Sequence, residues 1–94
     1  MNKEIYLKFG QQESSIAGNP YGESVFDEQI KDKMDFSVHT TIIFPNQIDD
    51  IAISFIQGFF KNMIEQVGTE TCRKQITIKA GKEELVQKIW DNID

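Results

Sequence analysis

The stretch IAISFIQGFFKNMIEQV, residues 51–67, carries the strongest periodicity in the chain. Ala52, Phe55, Ile56, Phe59, Phe60, Met63 and Val67 recur at i, i+3, i+4 and i+7, with Ser54, Gln57, Lys61 and Glu65 mostly opposite. This spacing predicts an amphipathic helix with one apolar face. Gly58 sits inside it at a propensity cost of about 1 kcal/mol relative to alanine, so a closely packed neighbour is expected there. Gly68 supplies a carboxyl-terminal stop.

The flanking segments complete the pattern. His39-Thr40-Thr41-Ile42-Ile43-Phe44 is β-branched and apolar on both faces, which reads as a central strand covered by helices, and Pro45 ends it. Glu4 to Phe9 alternates, with Ile5, Leu7 and Phe9 on one side, and Gly10 stops it. Residues 11–22 form a polar loop with a short edge strand near Ser15-Ile16-Ala17. Ser24 and Asp27 have capping-box spacing, which predicts a helix running through Met34 that buries Phe26, Ile30 and Met34. Gln75 to Lys79 alternates again. A last helix from about Lys82 buries Leu85, Val86, Ile89 and Ile93, with Trp90 at its border. Strand, helix, strand, helix, strand, helix predicts an α/β fold, a mixed and mainly parallel sheet with helices packed against it, in one domain over residues 1–94.

Composition narrows the function classes. The 94 residues carry a net charge of −5, which disfavours nucleic acid as a partner. A weak basic cluster of Arg73, Lys74, Lys79 and Lys82 reads as a solvated rim. No apolar run reaches the ~20 residues of a membrane-spanning helix, and Glu4 stands where an export signal would be apolar. One cysteine, Cys72, makes no internal disulfide and points to a reducing compartment, so a cytoplasmic location is expected.

No catalytic constellation stands out, and the expectation is a protein that is not an enzyme and takes no cofactor. His39, the single histidine, reads as a hydrogen-bonded strand residue. Cys72 beside Arg73 reads as a pre-strand cysteine. One His and one Cys do not make a transition-metal site. Asp49 and Asp50 lack calcium-loop spacing and read as acids favoured by the dipole of the following helix. No phosphate-cradling glycine loop is present.

At Gly22-Glu23-Ser24-Val25-Phe26, and again over Ile51 to Phe60, the chain resembles the bacterial STAS-like family of unknown function, related to the sulfate-transporter and anti-sigma-factor-antagonist domain. The resemblance spans roughly Ile5 to Ile93. It implies a sheet with helices on one side and a regulatory, protein-binding role, with histidine-kinase-like ATPases as one partner class. The antagonist branch is switched by phosphorylation of a serine in an Asp-Ser-Ser triplet at the start of the helix after the central strand. Here the triplet positions hold Ala52, Ile53 and Ser54, with Ile53 where the modified serine would be. Phe44-Pro45 replaces a frequent acid at the strand end, and Asp27 follows Phe26 where an arginine is often found.

The expected function is thus a non-catalytic regulatory module that binds another protein. Its expected contact surface is the Pro45–Ser54 loop and the exposed face of the next helix: Asn46, Gln47, Asp49, Asp50, Gln57 and Lys61. Ser54 is a candidate helix cap or phosphosite. The alternatives are a small acidic inhibitor, phage-encoded for example, that blocks a basic surface, or an antagonist switched at Ser54. Self-association into a homodimer through Trp90 and Ile93 stands as a further alternative to their use in the core.

Overall fold

In chain order the elements are β1 (Asn2–Tyr6), β2 (Ser15–Ile16), α1 (Asn19–Val25), a π-helical turn (Phe26–Ile30), β3 (His39–Ile43), β4 (Asp50–Ile51), α2 (Ile53–Gln75), β5 (Ile76–Lys79) and α3 (Glu83–Asp91). The computed structural model describes residues 2–93; Met1 and Asp94, the two ends of the expected domain, lie outside the described residues. The fold is α/β, as the strand–helix alternation predicts.

The main sheet has the order β1-β3-β5, and β2 pairs separately with β4. Every pairing among the described residues is parallel, with Ile5 beside Ile42 and Ile42 beside Ile78. Each crossover steps one strand further along the sheet in chain order. Crossovers of one hand that step the same way lay their helices on the same side. Burial shows the result: Ile5, Leu7, Thr40, Ile42, Phe44, Ile76 and Ile78 are buried. Their alternates Glu4, Tyr6, Thr77 and Lys79 are exposed, and Thr41 and Ile43 are half-buried. The sheet is covered on one face only. The expectation that β3 is covered on both is therefore corrected: the apolar alternates Thr41 and Ile43 belong to a bare face.

The first strand lies two or three residues earlier than the alternation alone places it, because Asn2 to Tyr6 already pair with His39 to Ile43. Beyond the strand, Leu7 still donates to Ile43 O at 2.9 Å. The side-chain amide of Gln29 then takes over, accepting from Lys8 N at 2.7 Å and donating to Lys8 O at 2.8 Å. That amide occupies groups an added strand would use.

The first helix is also corrected. It begins at Asn19, not Ser24, so residues 19–22 of the expected loop are helical. Asn19-Pro20 reads as a turn, yet proline is well suited to the first turn of a helix, where its missing N–H has no partner to lose. Ser24 and Asp27 consequently fall inside the helical run and form no capping box; the amino-terminal cap is Gly18, at φ 103°. The helical run ends in a wide turn in which Lys31 N–H reaches Phe26 O at 2.9 Å. Phe26 and Ile30 are buried as expected, while Met34 only packs at the edge of the core.

The predicted stripe of α2 is the centre of the core. Phe55, Ile56, Phe59, Phe60 and Met63 are all buried. Phe59 stacks with Phe55 (centroids 5.8 Å apart) and meets Phe44, Phe26 and Phe60 at 5.9, 6.3 and 5.3 Å. The neighbour expected at Gly58 is α1: a methyl placed there would lie 2.1 Å from Asn19 O. Gly68, at φ 85°, does break the helix, but the chain resumes helical turns to Gln75. Buried Cys72 anchors that second segment, in the helical turn that leads directly into β5.

Candidate functional site

All six expected contact residues (Asn46, Gln47, Asp49, Asp50, Gln57 and Lys61) are exposed. The segment that carries the first four is less open than its polarity implies, because Ile48 is 1 % exposed and pins its middle to the core. An isolated isoleucine among polar residues shows no periodicity, so the sequence reading missed this anchor. Gln47 Nε2 donates to Gly10 O at 2.6 Å and to Glu13 O at 2.9 Å. Ser14 O accepts from Asp49 N at 2.7 Å and Asp50 N at 3.2 Å, and Ile16 O accepts from Ala52 N at 2.9 Å. The 10–17 loop thus braces the approach to α2.

Asp49 and Asp50 do not sit in the first turn of α2, whose amino-terminal cap is Ala52 and which has no acid there. Asp49 Oδ1 pairs with Lys82 Nζ at 3.6 Å, and Asp50 Oδ1 with Lys88 Nζ at 3.3 Å. The second pair ties β4 to α3 and the first joins the residues just before each, which corrects the expectation that the acids serve the helix dipole.

Ser54 does not cap its own helix. Its hydroxyl accepts from the Gly18 N–H at 3.0 Å and so secures the residue that caps α1. The capping reading fails because the chain enters the helix at Ile53, two residues too early for Ser54 to stand before it. Ile53 itself is 45 % exposed, one of two large apolar side chains that face solvent among the described residues. Gln57 and Lys61 follow it at i+4 and i+8, which places all three on one outward stripe of α2. Lys61 Nζ lies 3.9 Å from Glu23 Oε1 of α1. The first turn of α2 is therefore open on one side, with Ile53 at its centre, and closed on the other by Gly18.

Other chemistry-bearing residues are elsewhere. His39 Nε2 and Thr77 Oγ1 share a hydrogen bond at 2.6 Å on the bare sheet face. Cys72 is buried, and desolvation pushes its thiol up, which suppresses the reactive thiolate. Trp90 packs on Phe60 (5.9 Å) beneath the Arg73 guanidinium (5.8 Å), and Ile93 is buried, so both serve the core. A polar cluster that sequence spacing did not reveal joins Glu13 to Tyr21. The Glu13 carboxylate accepts from the Gly10 N–H at 2.7 Å and from the Tyr21 hydroxyl at 2.8 and 3.1 Å. Burial first, then the hydrogen bond to Glu13, pushes the Tyr21 hydroxyl up to about 12.

A hollow of about 530 Å³ lies along α3, lined by Glu83, Glu84, Gln87, Lys88, Asp91 and Asn92. Its lining comes from one helix, so no opposing wall encloses a ligand there. Among the described residues no group of three or more His, Cys, Asp or Glu is placed to hold a metal ion. No described helix is long and apolar enough to cross a membrane. Compared with known protein families, with curated proteins and with solved structures, the chain matches none.

Proposed function

We propose that the protein is a non-catalytic regulatory module of STAS-like type, whose task is to bind another protein. The observation that carries this reading is the exposure of Ile53 on the first turn of α2, with Gln57 and Lys61 continuing the same stripe. An exposed isoleucine is an apolar anchor for a partner, and the polar residues around it supply a rim. The resemblance to the STAS-like family points to the same turn and names a histidine-kinase-like ATPase as a partner class. Because Ile53 occupies the position of the switched serine, the contact here is apolar and needs no phosphate to be released.

The direct experiment is affinity capture from the native cell with mass-spectrometric identification, run in parallel on the wild type and on Ile53→Asp and Gln57→Ala. The expected result is one protein retained by the wild type and lost by Ile53→Asp, with both variants melting within about 2 °C of the wild type. Equal recovery on all three baits would remove α2 as the contact.

The net charge of −5 favours one second reading, a small acidic inhibitor that covers a basic surface. The salt dependence of capture separates the two. Binding by charge weakens steeply as salt rises, whereas an interface centred on Ile53 changes little.

A further inference from the structure

We propose that the bare face of the sheet is a self-association surface, covered by the same face of a second copy of this chain. Parallel sheets are as a rule buried on both sides, since their crossovers supply helices to each. Here the order β1-β3-β5 sends the helices to one side, and the other retains Tyr6 at 62 % exposure beside half-buried Ile43 and Thr41. Register places Tyr6, Ile43 and Lys79 in one row across the strands, and Glu4, Thr41 and Thr77 in the next. The centre of the patch is apolar or β-branched and its charges sit at the edges: Glu4 on β1 and Lys79 on β5, with Lys8 just past the end of β1.

That layout is complementary to itself. A two-fold axis running along β3, between two stacked sheets, lays β1 of each copy over β5 of the other. Ile43 then meets its own equivalent near the axis. Tyr6 of each copy meets Lys79 of the other in its own row, twice over, as an isologous interface requires, and Glu4, one row back over Thr77 but 3.3 Å from the Tyr6 hydroxyl, approaches the same ammonium diagonally. The ammonium gains an aromatic face and a carboxylate in one contact. The patch also offsets the mutual repulsion of two chains of net charge −5, because its own charges do not share that sign.

Area sets the strength. Three strands about 4.8 Å apart and five residues of about 3.3 Å give roughly 14 by 17 Å. This is well below the ~800 Å² per partner of a standard interface, so the dimer is weak and forms with rising concentration. The sheet edges add little: Gln29 occupies the backbone of Lys8 at one of them.

Sedimentation equilibrium from about 10 µM to about 1 mM tests this, a range that brackets weak association. It uses the wild type, Glu4→Lys, Lys79→Glu, the double reversal Glu4→Lys/Lys79→Glu, and Tyr6→Asp, all at exposed positions and each checked by thermal melting. The wild-type mass should rise toward that of two chains. Each single reversal and Tyr6→Asp should move association to at least about tenfold higher concentration, and the double reversal should restore it. A one-chain mass throughout would give this face to some other occupant and overturn the proposal. Association that all variants share, or a double reversal that fails to recover, would overturn it equally.

Discussion

Gly22 of α1 lies directly on the backbone of α2 at Gly58: a methyl group on Gly22 would stand 3.2 Å from the Gly58 carbonyl carbon and 2.3 Å from Phe55 O. The reverse contact is as tight, since a methyl on Gly58 meets Asn19 O. Two glycines thus let two helices touch backbone to backbone, and this contact sets the α1–α2 layer that presents the outward stripe of α2.

Gly58→Ala should therefore destabilise the protein, although alanine favours a helix by about 1 kcal/mol over glycine. Overpacking against immovable backbone costs about 1–3 kcal/mol or more and outweighs that gain. Gly22→Ala should behave likewise. Urea denaturation of both, beside the wild type, checks the sign; a stabilised Gly58→Ala would contradict the observed contact.

Gly68 makes a different prediction. Space around it is open, but its φ of 85° is strained for any L side chain. Gly68→Ala should lose about 1–2 kcal/mol for backbone reasons alone. Gly68→Asn should lose as much, because ψ of 161° puts this residue outside the left-handed helical region that asparagine tolerates. Wild-type stability of either variant in denaturant titrations would argue against the kink.

Ser54→Ala removes the acceptor that holds Gly18 N–H. The expected loss is about 1 kcal/mol, read as a lower melting temperature. The amide of Gly18 should exchange with solvent faster in the variant. Since Ser54 lies beside the open stripe and not at its centre, partner capture should persist.

Tyr21 predicts a pH dependence on the alkaline side. Its hydroxyl ionises near 10.0 when unfolded and is raised to about 12 in the folded protein. The folded state thus holds this proton more tightly, and the stability it contributes is complete below pH 10 and lost as pH rises through 12. In a pH series of melting curves, Tyr21→Phe should show a shallower decline between those limits. Superimposable alkaline declines for the two proteins would refute the raised value.

What the sequence made legible follows the strength of its periods. The stripe Phe55, Ile56, Phe59, Phe60 and Met63 reads out directly, as do the middle strand at His39 and the close neighbour at Gly58. The exposed residues Gln57 and Lys61 follow from the same helical period. Positions that depend on tertiary context do not read out. Asn19-Pro20 looks like a turn until α2 is present to pack against. Ser54 looks like a cap because its acceptor is spent 36 residues away, on Gly18. Asp49 and Asp50 look like dipole acids because nothing local signals Lys82, which caps the last helix, and Lys88 within it. The bare face is hidden for a related reason: a β-branched strand such as Thr40-Thr41-Ile42-Ile43 reads the same whether one or both of its faces are covered.

The account stands on recognition through the open first turn of α2. The measurement that bears on it most directly is calorimetric titration of the captured partner with the wild type and with Ile53→Asp. A loss of affinity of tenfold or more, about 1.4 kcal/mol, with the melting temperature retained, is the predicted result. Equal affinity for both proteins would contradict it.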